Sequence, residues 1–448
     1  MQVINGSKLP PFIELIEAII RPTERLDECA TQYGDIFISK LSGFPPFVLF
    51  SHPQAIGQIM TADPNLFDSG VANRMLHPLV GDYSLLLLDG NTHQRQRKLL
   101  TPPFHGDRMK SYGKLICKIT EQVMNKQAIG EVFSIRSAMQ EISLRVILRA
   151  VFGLDETERF SQLRKLLSSI LDSVGSPISS SLLFVPALQK DFGAWSPWGK
   201  FIRQKQKIKE LIYAEVHERR TKNDTSGEDI LSLMMSAKDE AGQPMTDAEL
   251  NDELMTLLFA GHETTASALA WAFYWIHTLP EVKEKLLKEL NSLNSNFDPN
   301  EVVKLPYLTA VCQETLRIYP IAMFTFARIP KASYQVMGYD FEPGTQLTPC
   351  IYLTHQRADI YPEPKKFKPE RFLERSFSPY EYLPFGGSNR RCIGMAFAMF
   401  EMKLVLASVM AQWQMSTAET KPVQPVRRGI TLAPSGGVKM KLVAKSPS

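Results

Sequence analysis

Cysteine is scarce in this chain and comes in an odd number: Cys29, Cys117, Cys312, Cys350 and Cys392 are the five among 448 residues. No Cys-x-x-Cys pair occurs, so a disulfide framework is excluded and a reducing compartment fits better. Charge of one sign is also lacking. Lysine plus arginine number 51 and aspartate plus glutamate 47, a formal charge of +4. That balance argues against nucleic acid as a partner and leaves open a local basic patch for an acidic protein. No internal repeat, low-complexity tract or Gly/Ser linker divides the chain. The first residues, MQVINGSKLPPFIELIEAIIRP, lack the basic start of a signal peptide, and Glu14 and Glu17 interrupt their apolar run. The longest apolar stretch, Leu254 to Leu279, carries Glu263 in its middle and stops at Pro280. A spanning helix needs about 20 apolar residues and a central carboxylate is costly there, so this reads as a helix buried in protein. The expectation is a cytoplasmic protein without a transmembrane segment.

What is present is globular: 44% hydrophobic and 22% charged residues, enough for a large core that still encloses a ligand cavity. Residues Ile36–Ser51 predict two short strands around a turn at Gly43 and Pro45-Pro46. Gly70–Gly90 reads as a loop. Helical patterning dominates from Gly90 to about Asp239. Thr246-Asp-Ala-Glu249 is a capping box, so a helix starts there and runs to about Leu279. Pro280-Glu281 opens another helix. Val311–Ile318 is helical and Pro320 stops it. Dense prolines from Pro320 to Pro384 predict strands and coil. Helix returns from about Ile393 to Gln412. The last segment, Ile430–Val443, reads as a hairpin around Pro434-Ser-Gly-Gly437. The fold class is mostly α with small β-sheets.

Four motifs carry chemistry. Phe385-Gly-Gly-Ser-Asn-Arg390-Arg-Cys392-Ile-Gly394 delivers one cysteine to the start of a helix, where free N–H groups favour a thiolate. A lone thiolate does not build a zinc site. It serves as a nucleophile or a haem axial ligand, against the commoner role of an inert buried cysteine. Ala260-Gly-His-Glu263-Thr264-Thr265 places a glycine, a carboxylate and two β-branched threonines inside the long apolar helix. Such violations clustered in one turn suggest function. Glu314-Thr-Leu-Arg317 alone reads as a surface ion pair. Tyr361-Pro-Glu-Pro, followed by Phe367-Lys-Pro-Glu-Arg371-Phe372, is an extended proline-locked stretch.

Together, in this order, the four motifs resemble the cytochrome P450 superfamily of haem-thiolate monooxygenases over essentially the whole chain. The resemblance implies that residues 1–448 form a single domain of that fold, with haem between the long helix and the helix after Cys392. Cys392 is then the axial ligand of haem b iron. Phe385 packs near the sulfur, and Gly394 lets the helix approach the haem. Arg390, His93 and Arg97, with Arg328 as a further partner, meet the haem propionates. Glu314, Arg317 and Arg371 become a buried structural cluster. Thr264 with Glu263 delivers protons to bound dioxygen, and Ala260 and Gly261 shape the oxygen groove. One departure stands out: Ser388 replaces the glycine usual three residues after the loop phenylalanine, beside Asn389, and a positive φ there would be strained.

The resemblance also maps a pocket of apolar residues: Leu76, Val80, Leu85 and Leu86 before His93, Phe259 with Ala260 on the long helix, Met323, Phe324 and Phe326, and Ile430 at the final hairpin. As a set they imply a lipophilic substrate: a long-chain fatty acid, hydrocarbon, terpenoid or steroid. The segment from Ser180 to Gln189, with Trp195 and Trp198, is similar to cyanobacterial members of the family. The arginine and tyrosine that anchor a fatty-acid carboxylate on the first strands of one branch are missing from Gly43-Phe-Pro-Pro-Phe-Val-Leu-Phe50. Without a flavin or iron–sulfur domain, electrons are expected from a ferredoxin or flavodoxin and its reductase. The docking face would be Arg95, Lys98, Arg390, Arg391 and Lys403, and the protein a monomer. The rival readings are a peroxygenase or isomerase of the same fold and a non-catalytic haem-thiolate sensor.

Overall fold

The computed structural model describes residues 4–104, 108–153, 157–174, 189–193, 195–222, 227, 229–293 and 298–445. Residues 180–188 of the segment likened above to cyanobacterial proteins lie outside them. Seven helices position the site: α1 (Pro11–Ile20), α2 (Pro22–Tyr33), α3 (Gly90–Leu100), α4 (Ile135–Phe152), α5 (Asp247–Thr278), α6 (Pro306–Ile318) and α7 (Met395–Gln412). Helix α5 begins where the capping box predicts: Thr246 Oγ1 accepts from Glu249 N, and Glu249 reaches back to Thr246 N. It is buried along most of its length, packs most extensively on α4 and also touches α6 and α7. This helical layer holds the largest apolar core. Helix α7 is apolar and long enough to cross a membrane, but 61% of it is buried inside the fold.

The β part is small. Strands β1 (Ile36–Ser39) and β2 (Phe47–Phe50) form the expected hairpin, and β4 (Gln346–Pro349) adds to β2 in parallel. Strand β3 (Val132–Ser134) pairs with β8 (Lys439–Lys445), which also pairs with β5 (Trp413–Thr417). Strand β6 (Pro425–Arg428) pairs with β7 (Thr431–Pro434). The predicted terminal hairpin is therefore corrected. The reversal occurs at Gly429-Ile430, where Gly429 supplies φ +60. Residues beyond Pro434 leave for the other sheet, because β8 alternates buried and exposed positions between two partners. The Gly70–Gly90 stretch is also more ordered than a loop: Val71–Leu76 is a 3₁₀ turn and His77–Val80 a short helix lying on α5.

Candidate active site

The loop before α7 is built to present one sulfur. Gly386, at φ +67, turns the chain so that its N–H reaches Leu383 O at 2.9 Å, and Cys392 N–H closes the loop on Phe385 O at 3.0 Å. Ser388 takes φ +56, the left-handed conformation that glycine holds without penalty. A Cβ on Gly394 would meet only Cys392 Sγ, at 4.0 Å, so the backbone beside the sulfur is bare. Cys392 is the exposed member of the five cysteines, yet burial dominates its acidity. Both hold together when the sulfur lines an internal cavity. The favoured thiolate expected from the helix start is not found. Burial pushes the thiol up, and the Gly394 N–H, Arg97 and Arg391 only partly offset it. A metal cation on the sulfur removes that penalty outright.

A cationic cluster lies beside this loop. Helix α3 supplies His93 and Arg97. His93 is pushed down to about 3 by burial, then by Arg390 and Arg97, so it is neutral at pH 7. Arg328 is drawn down to about 10 by burial and by Arg390. Arg97 Nη2 donates to Arg391 O at 2.7 Å, and Arg328 Nη2 donates to Asn389 Oδ1 at 2.8 Å. Arg390 donates to Leu85 O at 3.1 Å and to Asp89 Oδ1 at 2.6 Å, while its buried Nε has no partner. Asp89, which also accepts from Ser69 N and Gly70 N, is the one carboxylate acting on His93. Three guanidiniums against one carboxylate leave the cluster short of anions. That deficit fits a group carrying two carboxylates, as a haem does. Sequence reasoning missed Asp89 and treated Asn389 only as a departure, although it is the partner of Arg328.

Across α5, Ala260 is exposed while Phe259 and His262 beside it are buried. Thr264 Oγ1 donates to Ala260 O at 2.6 Å. Gly261 also has a packing role. Its bare Cα faces α4, where an added Cβ would sit 3.1 Å from Ile147 Cδ1, and its carbonyl accepts from Ser143 Oγ at 3.3 Å. It permits close helix packing. Glu263 is not hydrogen-bonded to Thr264. It pairs with Arg136, accepts from Gln140 Nε2 at 2.9 Å and lies 3.5 Å from Arg428 Nε. Neither Arg136 nor Gln140 was flagged by the sequence.

The Glu314–Arg317 pair is fully buried, unlike an ordinary surface bridge. Arg317 grips Glu314 through Nε at 2.6 Å and Nη2 at 2.8 Å and donates Nη1 to His355 O at 2.8 Å. Arg371 Nε joins Glu314 at 3.1 Å. The expected pocket residues divide. Leu76, Val80, Leu85 and Phe259 are buried on the α5 side, with Leu85 N held by Glu253 at 2.8 Å. Met323 and Phe324 belong to a separate apolar cluster with Leu26, Cys29 and Phe37. Ile430 is exposed at the tip of the β6–β7 turn. The expected basic face is largely spent internally. Arg95 pairs with Asp239 at 2.6 Å and Glu249 at 2.8 Å, Lys403 donates to Val303 O at 2.8 Å, and Arg390 turns inward. Arg391 and Lys98 stay exposed, Lys98 in a 2.6 Å pair with exposed Glu240.

Comparison with known proteins places this geometry. A profile of the cytochrome P450 family matches residues 6–442. A Mycobacterium tuberculosis protein provisionally named cytochrome P450 135B1 is 34% identical over 440 residues, covering 98% of this chain and 91% of its own. Another from that organism, provisionally named cytochrome P450 135A1, is 30% identical and covers 98% and 94%. The retinoic acid-bound cyanobacterial CYP120A1 structure superposes with a TM-score of 0.83 over 99% of both chains; at 24% identity it speaks for the fold alone. The two sequence relatives named here are mycobacterial and do not carry the expected kinship with cyanobacterial members. The chain belongs to the cytochrome P450 family, a family of haem-thiolate monooxygenases.

Proposed function

We propose that this chain, acting as one catalytic domain, hydroxylates a C–H bond of a lipophilic substrate with dioxygen and two electrons from a separate protein. The observation that carries the reading is the accessible Cys392 beside an anion-deficient cluster of His93, Arg97, Arg328 and Arg390. Haem b bound through Cys392 would supply dioxygen binding and activation. Arg97 and Arg328 hold its carboxylates, neutral His93 donates an N–H, and Arg390 adds charge while Asp89 fixes its direction. Thr264, its proton committed to Ala260 O, offers its lone pairs to a water or a reacting oxygen in the groove beside Ala260. Glu263 acts as a relay: rotating off Arg136 and Gln140, its carboxylate takes a proton from solvent water and passes it to that water.

Replacing Cys392 with alanine is expected to abolish the thiolate-type ferrous–CO band of the purified protein. Persistence of that band in Cys392→Ala would overturn the assignment. The buried apolar residues Leu76, Val80, Leu85 and Phe259 support a lipophilic substrate. For the electron donor, an acidic ferredoxin or flavodoxin docks on Arg391 and Lys98. Neutralising both is expected to weaken donor-supported turnover and flatten its salt dependence, and unchanged behaviour would refute that face.

A further inference from the structure

Strand β6 carries two adjacent arginines that point opposite ways, as neighbours on a strand do. Arg428 lies toward Glu263 of α5. Arg427 instead lines a cavity of about 30 Å³ between α1, α2 and the first sheet, room for a carboxylate end, whose walls include Arg25, Leu26, Phe37, Leu49 and Phe324. Its Nε donates to Gly429 O at 3.0 Å, which fixes the guanidinium plane. No carboxylate among the described residues bonds to it. Glu14, on the same cavity, accepts from Ser39 Oγ at 2.8 Å through Oε1, while its buried Oε2 has no partner. A half-buried guanidinium facing a cavity without an anion is costly, and a carboxylate is the partner its fork fits in bidentate fashion. The surroundings agree: burial alone draws the Arg427 pKa down, with no neighbouring charge opposing it.

We propose that Arg427 anchors the carboxylate of a lipophilic acid substrate, in place of the strand arginine and tyrosine this chain lacks. This rests on the monooxygenase reading above. Met323 and Phe324 line this cavity, and the β6–β7 hairpin is bonded to their segment through Leu432 N to Ile321 O at 2.8 Å. Since Arg427 faces away from α5, the carbon oxidised lies remote from the carboxylate.

The test titrates the full-length haem-loaded protein with hexadecanoic acid against hexadecanol, and with a cyclic isoprenoid acid against its alcohol. Binding is followed by the Soret shift and by calorimetry. For at least one skeleton the acid is expected to bind roughly 10- to 100-fold more tightly than the alcohol. Arg427→Gln should erase that preference with alcohol affinity unchanged, and Arg427→Lys should keep part of it. Equal affinity for acid and alcohol in the parent protein, or an undiminished preference in Arg427→Gln, overturns the proposal. If Arg427→Gln does not fold, Arg427→Ala takes its place and the parent comparison still decides. The ferrous–CO band is recorded first. A thiolate band without acid preference removes the anchor and leaves the Cys392 assignment standing, whereas absence of the band removes the monooxygenase reading itself.

Discussion

The buried cluster around Glu314 contains one carboxylate and two guanidiniums, and that inventory orders the effects of removing each. Glu314→Gln keeps the volume but leaves Arg317 and Arg371 as neighbouring buried cations with no counter-charge. Breaking a buried ion pair by removing one partner costs about 3–5 kcal/mol, and two stranded cations put this variant at the top of that range. Arg317→Met leaves Glu314 still held by Arg371 Nε at 3.1 Å and by Lys368 N at 2.8 Å, so its charge stays compensated. What is lost is packing over Tyr361 and the donor to His355 O, a cost of about 2–3 kcal/mol. Arg371→Met leaves the bidentate Glu314–Arg317 grip intact and costs about 1–2 kcal/mol, because its bonds, at 3.1–3.3 Å, are longer than that grip. Urea unfolding followed by far-ultraviolet circular dichroism, at matched haem content, ranks the three. An Arg317→Met variant as unstable as Glu314→Gln would refute the charge-counting argument and assign the cluster's value to hydrogen bonds alone.

Three further outcomes are expected. Ser388→Gly relieves the φ of +56 and should stabilise the fold by about 1 kcal/mol in the same unfolding assay; a loss would show that the serine side chain is needed. Burial pushes Glu253 and Glu401 up to about 8, so the native state holds two protons that the unfolded chain releases above pH 4.5. Their stabilisation is complete below 4.5 and is lost as pH rises through 8. Lowered His93, His262 and His355 act the other way, but only below 6.5. Unfolding midpoints should therefore fall between pH 6.5 and 8.5, by at most about 1.4 kcal/mol per pH unit for each carboxyl, and Glu253→Gln should flatten the slope. Gly70→Ala drives a methyl group into the Leu87 carbonyl and disturbs the N–H that holds Asp89, so it should cost about 1–3 kcal/mol and speed haem loss. A variant with parental stability and haem retention would show that the Asp89 clamp is not needed.

How much of this was legible in the sequence follows from which interactions are local. The Thr246 capping box, the turn before Cys392 and the Glu314–Arg317 spacing are each written within a few residues, and the structure keeps all three. The terminal hairpin was misplaced because two turn signals compete there. Gly429 and Gly436 both take φ near +60, and only the long-range partner of β8 decides which reversal closes a hairpin. The partners of Glu263 were hidden for the same reason. Its helix neighbour is Thr264, but its carboxylate is claimed by Arg136 and Gln140, more than 120 residues away. Arg427 was invisible for a different reason. In sequence it is one of two adjacent arginines at a turn, the commonest setting for solvated charge. Only the packing of α1 and α2 over β6 turns one of the pair onto a cavity, while its neighbour reaches Glu263. If both arginines act as argued, one short strand couples the grip on the substrate's carboxylate to the acid beside the oxygen groove. An acid filling the Arg427 cavity should then alter how firmly Arg428 holds Glu263, and with it the proton supply at Thr264.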